Sequence, residues 1–376
     1  MGAATAYYLL QLEPGLEVAV VERDPTYRQS STLLSDGNVR IQFNLEENIR
    51  MSQFAFEAIQ DFSQRMTVGE WSPDPSPRHQ GNLFLTDDAG EDAAKDGMQR
   101  QNGLGCNVEW LDASEISHRF PGYAGSGYVG GTFGPVDGSV DPSAVLQGYV
   151  RRAAADGAVF VREEVAALRR DGSAVTGVDL TDGTFLSAPV VVNAAGAWCS
   201  ALAASIGVEL PVQPVMRYVY SLDTHVETTN LPSVFLPSGL YVIPEHGRRF
   251  LCGWSQPDDP VGFDFTFRRE KFFDVLWPEL ASHLPAFEAV HLAGGWAGPY
   301  EVNTLDENGI IGEWPEITGL FLANGFSGHG YQQCHAVGRH LAELIVGHPP
   351  SIDLSRLSPA RILTGEPLYE NAGRII

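Results

Sequence analysis

Basic residues are scarce in this chain. Its 376 residues include 24 Lys and Arg against 47 Asp and Glu, which gives a formal net charge of −23. Nucleic-acid binding depends on Lys and Arg that neutralise phosphates, and attachment to an anionic membrane surface depends on the same charges. The composition therefore argues against both kinds of partner.

Cysteine is also scarce, and no secretion signal is evident. The four residues Cys106, Cys199, Cys252 and Cys334 are too few for a disulfide framework, and no Cys-x-x-Cys pair occurs. The start of the chain has no basic region, and Glu13-Pro14 cuts its apolar run short. We therefore expect a reducing compartment and a cytoplasmic protein.

Long uninterrupted apolar segments are missing as well. The strongest candidate, residues 188–208, contains Pro189, Asn193 and Gly196, and it is more typical of a buried strand, a turn and a helix than of a membrane span. Hydrophobic residues still make up 44% of the chain, enough for a sizeable core. At ~100–200 residues per domain, the length predicts two domains or one α/β body with an inserted lobe.

The chain opens with a helix, a strand and a carboxylate. Residues 2–10 are typical of a small-residue helix, residues 18–21 of a strand, and Glu22 closes that strand. Gly2 would suit the last glycine of a G-x-G-x-x-G dinucleotide-binding loop, in which an acidic residue about 20 positions later binds the ribose. A helix–strand pair with a chance carboxylate gives the same pattern, so both interpretations stay open.

A glycine-rich turn lies near the other end. Residues 325–330, Gly-Phe-Ser-Gly-His-Gly, separate an apolar strand (320–323) from a helix that extends to residue 346. The glycines let a ligand approach the backbone, and the helix N-terminus offers free N–H groups and a partial positive charge. Such a site suits a phosphate, a carboxylate or the pyrimidine edge of a reduced flavin; a merely tight strand–helix turn is the alternative.

Other catalytic patterns are weak. His329, His335 and His340 are spaced by six and five residues, which places them on different helix faces, so no metal site is predicted. The absence of Gly-x-Ser-x-Gly argues against a serine hydrolase. Asp137 and Asp141 could form an acid–base pair, but each neighbours Gly or Pro, where Asp commonly makes turns and helix caps.

Taken together, these segments resemble the D-amino-acid oxidase/sarcosine oxidase superfamily of FAD-dependent amine oxidoreductases. The likeness runs the whole length of the chain, through residues 2–9, 20–22, 35–40, 136–142, 193–198 and 325–330. The subgroup whose mitochondrial members assist respiratory complex I assembly is the most similar, through residues 296–300, 306–312, 325–333 and 352–376.

The resemblance implies an α/β fold with an α+β insert, in which a Rossmann-like FAD-binding domain is interleaved with a β-rich substrate-binding lobe. The expected FAD-binding domain comprises residues 1–65, 135–208 and 291–376, and the expected substrate lobe comprises residues 66–134 and 209–290.

The resemblance also implies roles for single residues. Gly2 and Glu22 would serve the adenosine half of FAD, Val165 would meet adenine, and Ala195 and Gly196 would close over the diphosphate. The whole expected FAD site is Gly2, Glu22, Arg23, Ser30, Ser31, Thr32, Val165, Ala195, Gly196, Trp198, Gly325, Ser327, Gly328, His329, Gly330, Tyr331 and Gln332.

The expected catalytic site is Arg40, Tyr241, Tyr300, His329 and Gln332. Tyr241 and Tyr300 could supply the aromatic walls of an apolar amine site. The planar fork of Arg40 would suit a substrate carboxylate, and a structural ion pair is the alternative for this residue. The implied reaction is hydride transfer from the carbon next to an amine nitrogen to the flavin, which leaves an imine that water hydrolyses.

Three departures from the family pattern carry expectations. The strand and two glycines that would precede Gly2 are absent, so we expect that the natural gene starts upstream or that FAD binding is impaired. Gln332 stands where sarcosine-oxidase relatives carry a Lys that assists oxygen, which predicts slow oxidation by oxygen or another electron acceptor. Pro299-Tyr300 occupies the region where some members carry a flavin-tethering Cys, so non-covalent FAD is expected.

The sequence thus predicts an FAD-dependent oxidoreductase of a secondary or N-methylated amino acid, with oxygen or another carrier as electron acceptor. Two alternatives remain: a non-catalytic flavoprotein or assembly factor, and a truncated chain without function. The sequence holds no signal for the oligomeric state.

Overall fold

The structure is a computed structural model that describes residues 1–370. The last part of the segment expected to reach residue 376 therefore lies outside the described residues. The helices are α1 (Gly2–Leu12), α2 (Glu46–Gln60), α3 (Phe62–Arg65), α4 (Glu91–Gly103), α5 (Ala113–Arg119), α6 (Pro142–Ala155), α7 (Cys199–Ala204), α8 (Arg269–Lys271), α9 (Trp277–His283), α10 (Gly330–Ile345) and α11 (Ala360–Thr364).

The strands belong to one large sheet and several small ones. They are β1 (Ala19–Val21), β2 (Asn38–Val39), β3 (Asn82–Thr86), β4 (Glu109–Asp112), β5 (Gly130–Gly134), β6 (Gly138–Ser139), β7 (Val159–Val161), β8 (Val165–Asp171), β9 (Ala174–Leu180), β10 (Phe185–Ser187), β11 (Val191–Asn193), β12 (Val212–Asp223), β13 (Ser233–Phe235), β14 (Tyr241–Pro244), β15 (Arg249–Gly253), β16 (His291–Asn303), β17 (Ile310–Glu313) and β18 (Leu320–Asn324).

Short parallel strand pairs and three helices build one part of the molecule. Strand β1 pairs with β7, and β11 pairs with β18. Helix α1 packs on α6 and α10. At Gly338 of α10, an added Cβ would lie 2.9 Å from the backbone carbonyl carbon of Ala4, so the close approach of α1 and α10 requires a residue without a side chain there.

Strand β11 corrects one expectation. The segment around it was expected to be a buried strand, but Val191 and Val192 are only half-buried because they line a large cavity. The strand is apolar on both faces, as the sequence predicts, and its residues line the cavity as well as packing against the core.

An eight-stranded sheet builds the other part. Its order is β16-β12-β15-β14-β13-β3-β5-β4, antiparallel except for the β13–β3 pair. The largest hydrophobic cluster includes the fully buried side chains of Tyr220, Phe250, Phe272 and Phe287. A second, smaller cluster, which includes Tyr241, belongs to the face of the sheet that lines the cavity.

The predicted domain boundary at residue 291 comes one strand too early. Strand β16 is paired with β12 from His291 opposite Asp223 to Asn303 opposite Val212. This long antiparallel ladder makes β16 an edge strand of the large sheet, so residues 291–303 belong with the lobe. The other expected boundaries stay predictions.

Asp137 and Asp141 do not form an acid–base pair. Asp141 caps α6, because its Oδ1 accepts hydrogen bonds from the backbone N–H groups of Ser143 and Ala144 at 2.7 and 3.2 Å. Asp137 is fully buried and accepts from the backbone N–H of Ile41 at 2.8 Å. Burial raises the pKa of Asp137 to about 7. Both residues act in the fold, as their turn-like sequence surroundings indicate.

Two further observations concern the whole described chain. No helix in residues 1–370 is both long and apolar enough to cross a membrane. The four cysteines are buried and carry free thiols.

Candidate functional site

A cavity of about 1510 Å³ lies between the parallel strand pairs and the large sheet. Typical small-molecule pockets measure ~300–1,000 Å³, so this cavity has room for a dinucleotide together with a small substrate. We name its two sides by what forms them. The helix-end wall consists of the N-termini of α1 and α10 with the end of β1. The sheet wall consists of Arg217, Tyr241 and Tyr300 on the large sheet.

The helix-end wall presents backbone N–H groups. Gly2 and Ala3 of α1, and Gly330 and Tyr331 of α10, line the cavity. The first N–H groups of a helix have no partner within it, and no side chain caps either N-terminus. Two helix dipoles therefore direct positive potential into this side of the cavity, which favours anionic groups.

The turn before α10 brings backbone close to the cavity at Gly328. Its φ of +101° is a conformation that residues with a Cβ rarely adopt. An added Cβ would also lie 2.5 Å from Cε2 of Tyr300. The glycine predicted from sequence is thus needed both for the turn and for the contact between the turn and the sheet wall.

Glu22 ends β1 at the rim of the helix-end wall. It is half-buried, and its Oε1 accepts a hydrogen bond from the backbone N–H of Asp24 at 2.9 Å. Burial raises the pKa of this carboxyl group. A carboxylate at the end of the first strand suits the hydroxyl groups of a ribose.

Arg23 and Trp198 meet beside Glu22. The guanidinium of Arg23 lies 4.1 Å from the centre of the Trp198 ring, and its Nη1 lies 3.2 Å from Oε1 of Glu164. Trp198 stacks in turn on Phe263, with ring centres 4.7 Å apart. Both predicted residues line the cavity, and their planar groups stack on one another.

Most of the residues predicted from sequence reach the cavity. Those that line it are Gly2, Glu22, Arg23, Ser30, Ser31, Thr32, Arg40, Val165, Ala195, Gly196, Trp198, Tyr241, Tyr300, Gly328, His329, Gly330, Tyr331 and Gln332. Their individual contacts with a cofactor or substrate stay predictions.

Gly325 and Ser327 do not line the cavity, which corrects their predicted contact with FAD. The backbone N–H of Gly325 donates to Oε2 of Glu301 at 3.1 Å. The buried hydroxyl of Ser327 accepts from the backbone N–H of Asn303 at 3.0 Å. These two hydrogen bonds join the turn to β16. Gly325 and Ser327 therefore stabilise the conformation of the turn and do not form part of the cavity surface.

Arg40 is bound to the start of α10 and the residue before it. Its Nη2 donates to Nε2 of His329 at 3.1 Å, and its backbone N–H donates to Oε1 of Gln332 at 2.7 Å. Its guanidinium also lies 4.5 Å from the centre of the Phe43 ring. Burial, and then the charge of Arg40, lower the pKa of His329 to about 3. The imidazole is therefore neutral, with Nε2 as acceptor and the proton on Nδ1.

The tyrosines of the sheet wall adjoin a carboxylate that the sequence did not reveal. Asp36 lines the cavity and accepts from the backbone N–H of Asn38 at 3.1 Å. Its charge acts on the hydroxyl groups of Tyr241 and Tyr300. Burial raises the pKa of Asp36 and of Tyr300. The site thus holds an acidic group near two phenols, in a cavity that Arg40 also lines.

Two other charged residues of the cavity were also missed. Arg217 and Val219 alternate along β12, and both face the cavity. Glu301 follows Tyr300 on β16, and burial raises the pKa of Glu301 to about 7. In the sequence, Arg217 is distinguished only as a charged residue among the mostly apolar residues of the β12 segment.

The histidines of the tail are dispersed. The Nδ1 of His335 lies 2.6 Å from the Tyr149 hydroxyl, and the Nδ1 of His340 lies 3.1 Å from the carbonyl oxygen of Ile352. Within residues 1–370, no group of three or more His, Cys, Asp or Glu side chains could hold a metal ion.

Comparison with known proteins agrees with this geometry. A family described as "FAD dependent oxidoreductase" matches residues 1–344. The chain belongs to this family. FAD is therefore its cofactor, and the chain is an FAD-dependent oxidoreductase. The predicted family and fold class are confirmed.

Individual relatives support the assignment. The chain is 34% identical to FAD-dependent oxidoreductase domain-containing protein 1 of Xenopus laevis over 413 residues, which cover 98% of this chain and 82% of the relative. It is 31% identical to the glycine oxidase of Geobacillus kaustophilus over 263 residues, 69% of this chain and 67% of the relative. The L-proline dehydrogenase structure from P. horikoshii has the same fold, with a TM-score of 0.85, 24% identity and coverage of 97% and 96%.

The cavity fits FAD. Glu22 is a hydrogen-bond acceptor for ribose hydroxyls, and the free N–H groups of the two helix N-termini suit the diphosphate and the pyrimidine edge. Ser30 and Ser31 add hydroxyl groups to the same side of the cavity, although Ser31 donates to the carbonyl oxygen of Pro299 at 2.7 Å. These groups match the polar parts of the cofactor in kind.

Proposed function

We propose that this chain oxidises a secondary or N-methylated amino acid at its C–N bond. The observation that carries the proposal is that Arg40, Asp36, Tyr241 and Tyr300 line one cavity and that the charges of Arg40 and Asp36 act on the same tyrosine, Tyr300. An amino acid presents a carboxylate and an amine, and this cavity offers a cation for the first and a carboxylate for the second.

Arg40 and His329 would hold the substrate carboxylate. The neutral Nε2 of His329 accepts a hydrogen bond from Arg40 and so fixes the direction of the guanidinium. Because the imidazole carries no charge, it does not compete with Arg40 for the substrate's carboxylate. The ring of Phe43 beside the guanidinium adds a cation–π contact and excludes water from one side.

Asp36 would bind the substrate amine. Burial raises the pKa of Asp36, so its carboxylate is a better acceptor for the proton of an incoming ammonium group. The hydrogen bond from the backbone N–H of Asn38 orients it. When bound, FAD supplies the acceptor for the hydride that leaves the carbon next to the nitrogen. The aromatic rings of Tyr241 and Tyr300 would leave room for an N-methyl group.

We also propose that the electron acceptor is a carrier other than oxygen. The chain has two lysines, Lys95 and Lys271, and neither lines the cavity. Gln332 is neutral, and its Oε1 is engaged by the backbone N–H of Arg40. Reduced enzyme should be reoxidised by a quinone or dye at least as fast as by air. Rapid release of peroxide with a good amine substrate would contradict this proposal.

Non-covalent binding of FAD stays part of the proposal. Cys334 lines the cavity, but burial raises the pKa of its thiol to about 11, so it is not a thiolate at neutral pH. Acid precipitation should leave the yellow colour in the supernatant. A yellow pellet would show a covalent bond.

Anaerobic bleaching of the flavin tests the reaction. Purified protein is mixed with a panel of N-methyl amino acids and with glycine, and the yellow absorbance is followed. Bleaching by N-methyl amino acids supports the proposal. Bound flavin that no member of the panel bleaches would instead favour a non-catalytic flavoprotein, and protein that cannot be loaded with FAD would favour a truncated chain.

A further inference from the structure

We propose that Arg217 selects substrates that carry a second carboxylate in addition to the one on the amino-acid carbon. This inference rests on the proposed function, because it refines the class of amine that enters the same cavity. The expected substrates are therefore N-substituted amino dicarboxylates.

Arg217 lies on the sheet wall next to the predicted amine site. It stands on β12 opposite Gly298 of β16, and both residues line the cavity. Its guanidinium lies 5.8 Å from the centre of the Tyr300 ring. Its side chain is 19% exposed, so it retains access to the cavity.

Arg217 shares its buried counter-ion with a second cation. Asp259 is completely buried and pairs with both Arg217 and Lys271, so one carboxylate serves two cations. Asp258 lies 3.9 Å from Lys271, but its side chain is 87% exposed and contributes little. The charge of Arg217 also acts on the half-buried Glu307. A ligand carboxylate beside Arg217 would add a partner to a cation that has to share Asp259.

The donors of Arg217 are also incompletely used. Its Nη1 donates to the carbonyl oxygen of Gln256 at 2.9 Å and to Asp259. Its Nη2 has no hydrogen-bond partner within the described residues and, unlike its Nε, is not enclosed by protein. This accessible donor can therefore bind a ligand that brings acceptor oxygens.

A substrate with a single carboxylate would satisfy only one of two cations. The charges of Arg40 and Arg217 both act on the hydroxyl of Tyr300, so the two guanidinium groups lie near the same phenol. Arg40 is bound to His329 at the helix-end wall, whereas Arg217 is anchored through Asp259 in the sheet. Two cations fixed by different elements match two carboxylates on one small molecule.

The test compares isosteric substrates that differ in one charge. The probes are N-methylaspartate with N-methylasparagine, and N-methylglutamate with N-methylglutamine, each in anaerobic bleaching of the FAD-loaded protein. We expect kcat/KM for the better diacid to exceed that of its amide by about tenfold or more. In Arg217→Met, the diacid concentration that gives half-maximal bleaching should rise by about tenfold while the limiting rate of bleaching stays within about twofold, and bleaching by sarcosine should change less than bleaching by the diacid.

Two other variants separate charge selection from structural damage. Arg217→Lys keeps the charge and should retain part of the preference. Arg249→Met is the matched control, because Arg249 lies on β15 of the same sheet, is 48% exposed and pairs only with Asp223 at the surface. Flavin content and thermal unfolding are recorded for each variant.

The outcomes distinguish the inference from the proposed function. Equal efficiency with diacid and amide in the parent, or an equal loss with both in Arg217→Met, overturns the role of Arg217. If no compound bleaches the flavin, the proposed oxidation fails. The shift in flavin absorbance on binding then gives the dissociation constants of diacid and amide, and their ratio in parent and Arg217→Met still decides for or against charge selection.

Discussion

The two walls of the cavity recognise ligands in different ways. The helix-end wall offers backbone N–H groups of α1 and α10 and a turn that needs glycine at position 328. The sheet wall offers side chains on long strands, such as Arg217 and Tyr300, which are fixed by pairing between β12 and β16.

This difference explains what each wall contributes. The cofactor is the same compound in every member of a family. The backbone groups that would bind it, and with them the helix-end wall, can therefore stay the same throughout the family. Side chains on a sheet can change one at a time without disturbing the ladder that carries them. The helix-end wall therefore suits the cofactor, and we propose that the sheet wall determines substrate choice.

Replacing Gly328 by alanine should give the largest effect. The Cβ would meet the Tyr300 ring in a conformation already unfavourable for alanine, at a cost of about 2–6 kcal/mol. The expected result is FAD binding that is weaker by roughly a hundredfold, measured by flavin titration. Gly347→Ala is the control, because Gly347 also has a positive φ, at +73°, but nothing lies within 4 Å of its Cβ. Normal FAD affinity in Gly328→Ala would show that the turn of the helix-end wall does not need glycine at this position.

Replacing Arg40 by lysine should affect the substrate more than the cofactor. Lysine keeps the charge but loses the planar fork and the fixed contact with His329. We expect kcat/KM for amino acids to fall by about 30-fold, with flavin content preserved. Arg50→Lys is the control, since Arg50 is exposed on α2 and pairs with Glu46. Loss of flavin in Arg40→Lys, with normal kinetics of the remaining holoenzyme, would instead assign Arg40 to the cofactor.

Replacing Glu22 by glutamine should weaken FAD binding moderately. The neutral amide is a poorer acceptor for ribose hydroxyls, and hydrogen bonds to charged groups contribute ~1.5–3 kcal/mol. The dissociation constant of FAD should rise by about tenfold, while KM for the amine stays unchanged. Glu13→Gln, at the exposed end of α1, provides the control. An unchanged dissociation constant would remove Glu22 from the cofactor site.

The pH profile should give the smallest effect. The pKa of His329 lies near 3 instead of 6.5, so its imidazole is neutral in the folded protein throughout pH 5–9. The profile of kcat/KM should therefore show no inflection from this residue, and its shape should be the same in His329→Gln. An inflection near pH 6.5 that disappears in the variant would show that His329 titrates, and would remove the reason for treating it as a neutral acceptor.

The helix-end wall could be predicted because its signals are local. Glu22 stands about 20 residues after Gly2, and Gly328 and Gly330 lie in one turn between a strand and a helix. These spacings follow from the geometry of neighbouring elements. The same locality led to an error, because Gly325 and Ser327 belong to the same motif but point toward β16.

The sheet wall could be predicted only in part. Tyr241 and Tyr300 line the cavity, as predicted, and their role at an amine site stays a prediction, whereas Arg217 reaches the cavity through pairing of strands distant in sequence. The boundary at residue 291 was wrong for the same reason: nothing local to β16 shows that it pairs with β12. Electron acceptor and cytoplasmic location stay predictions.

The stack of Arg23, Trp198 and Phe263 gives the protein a built-in optical reporter. Trp198 lies in the cavity wall, and the other six tryptophans of the chain supply only a background signal. Energy passes efficiently from an excited indole to a nearby flavin, so loading with FAD should quench the emission of Trp198. The difference between parent and Trp198→Phe would then follow cofactor binding in real time, before any substrate is known.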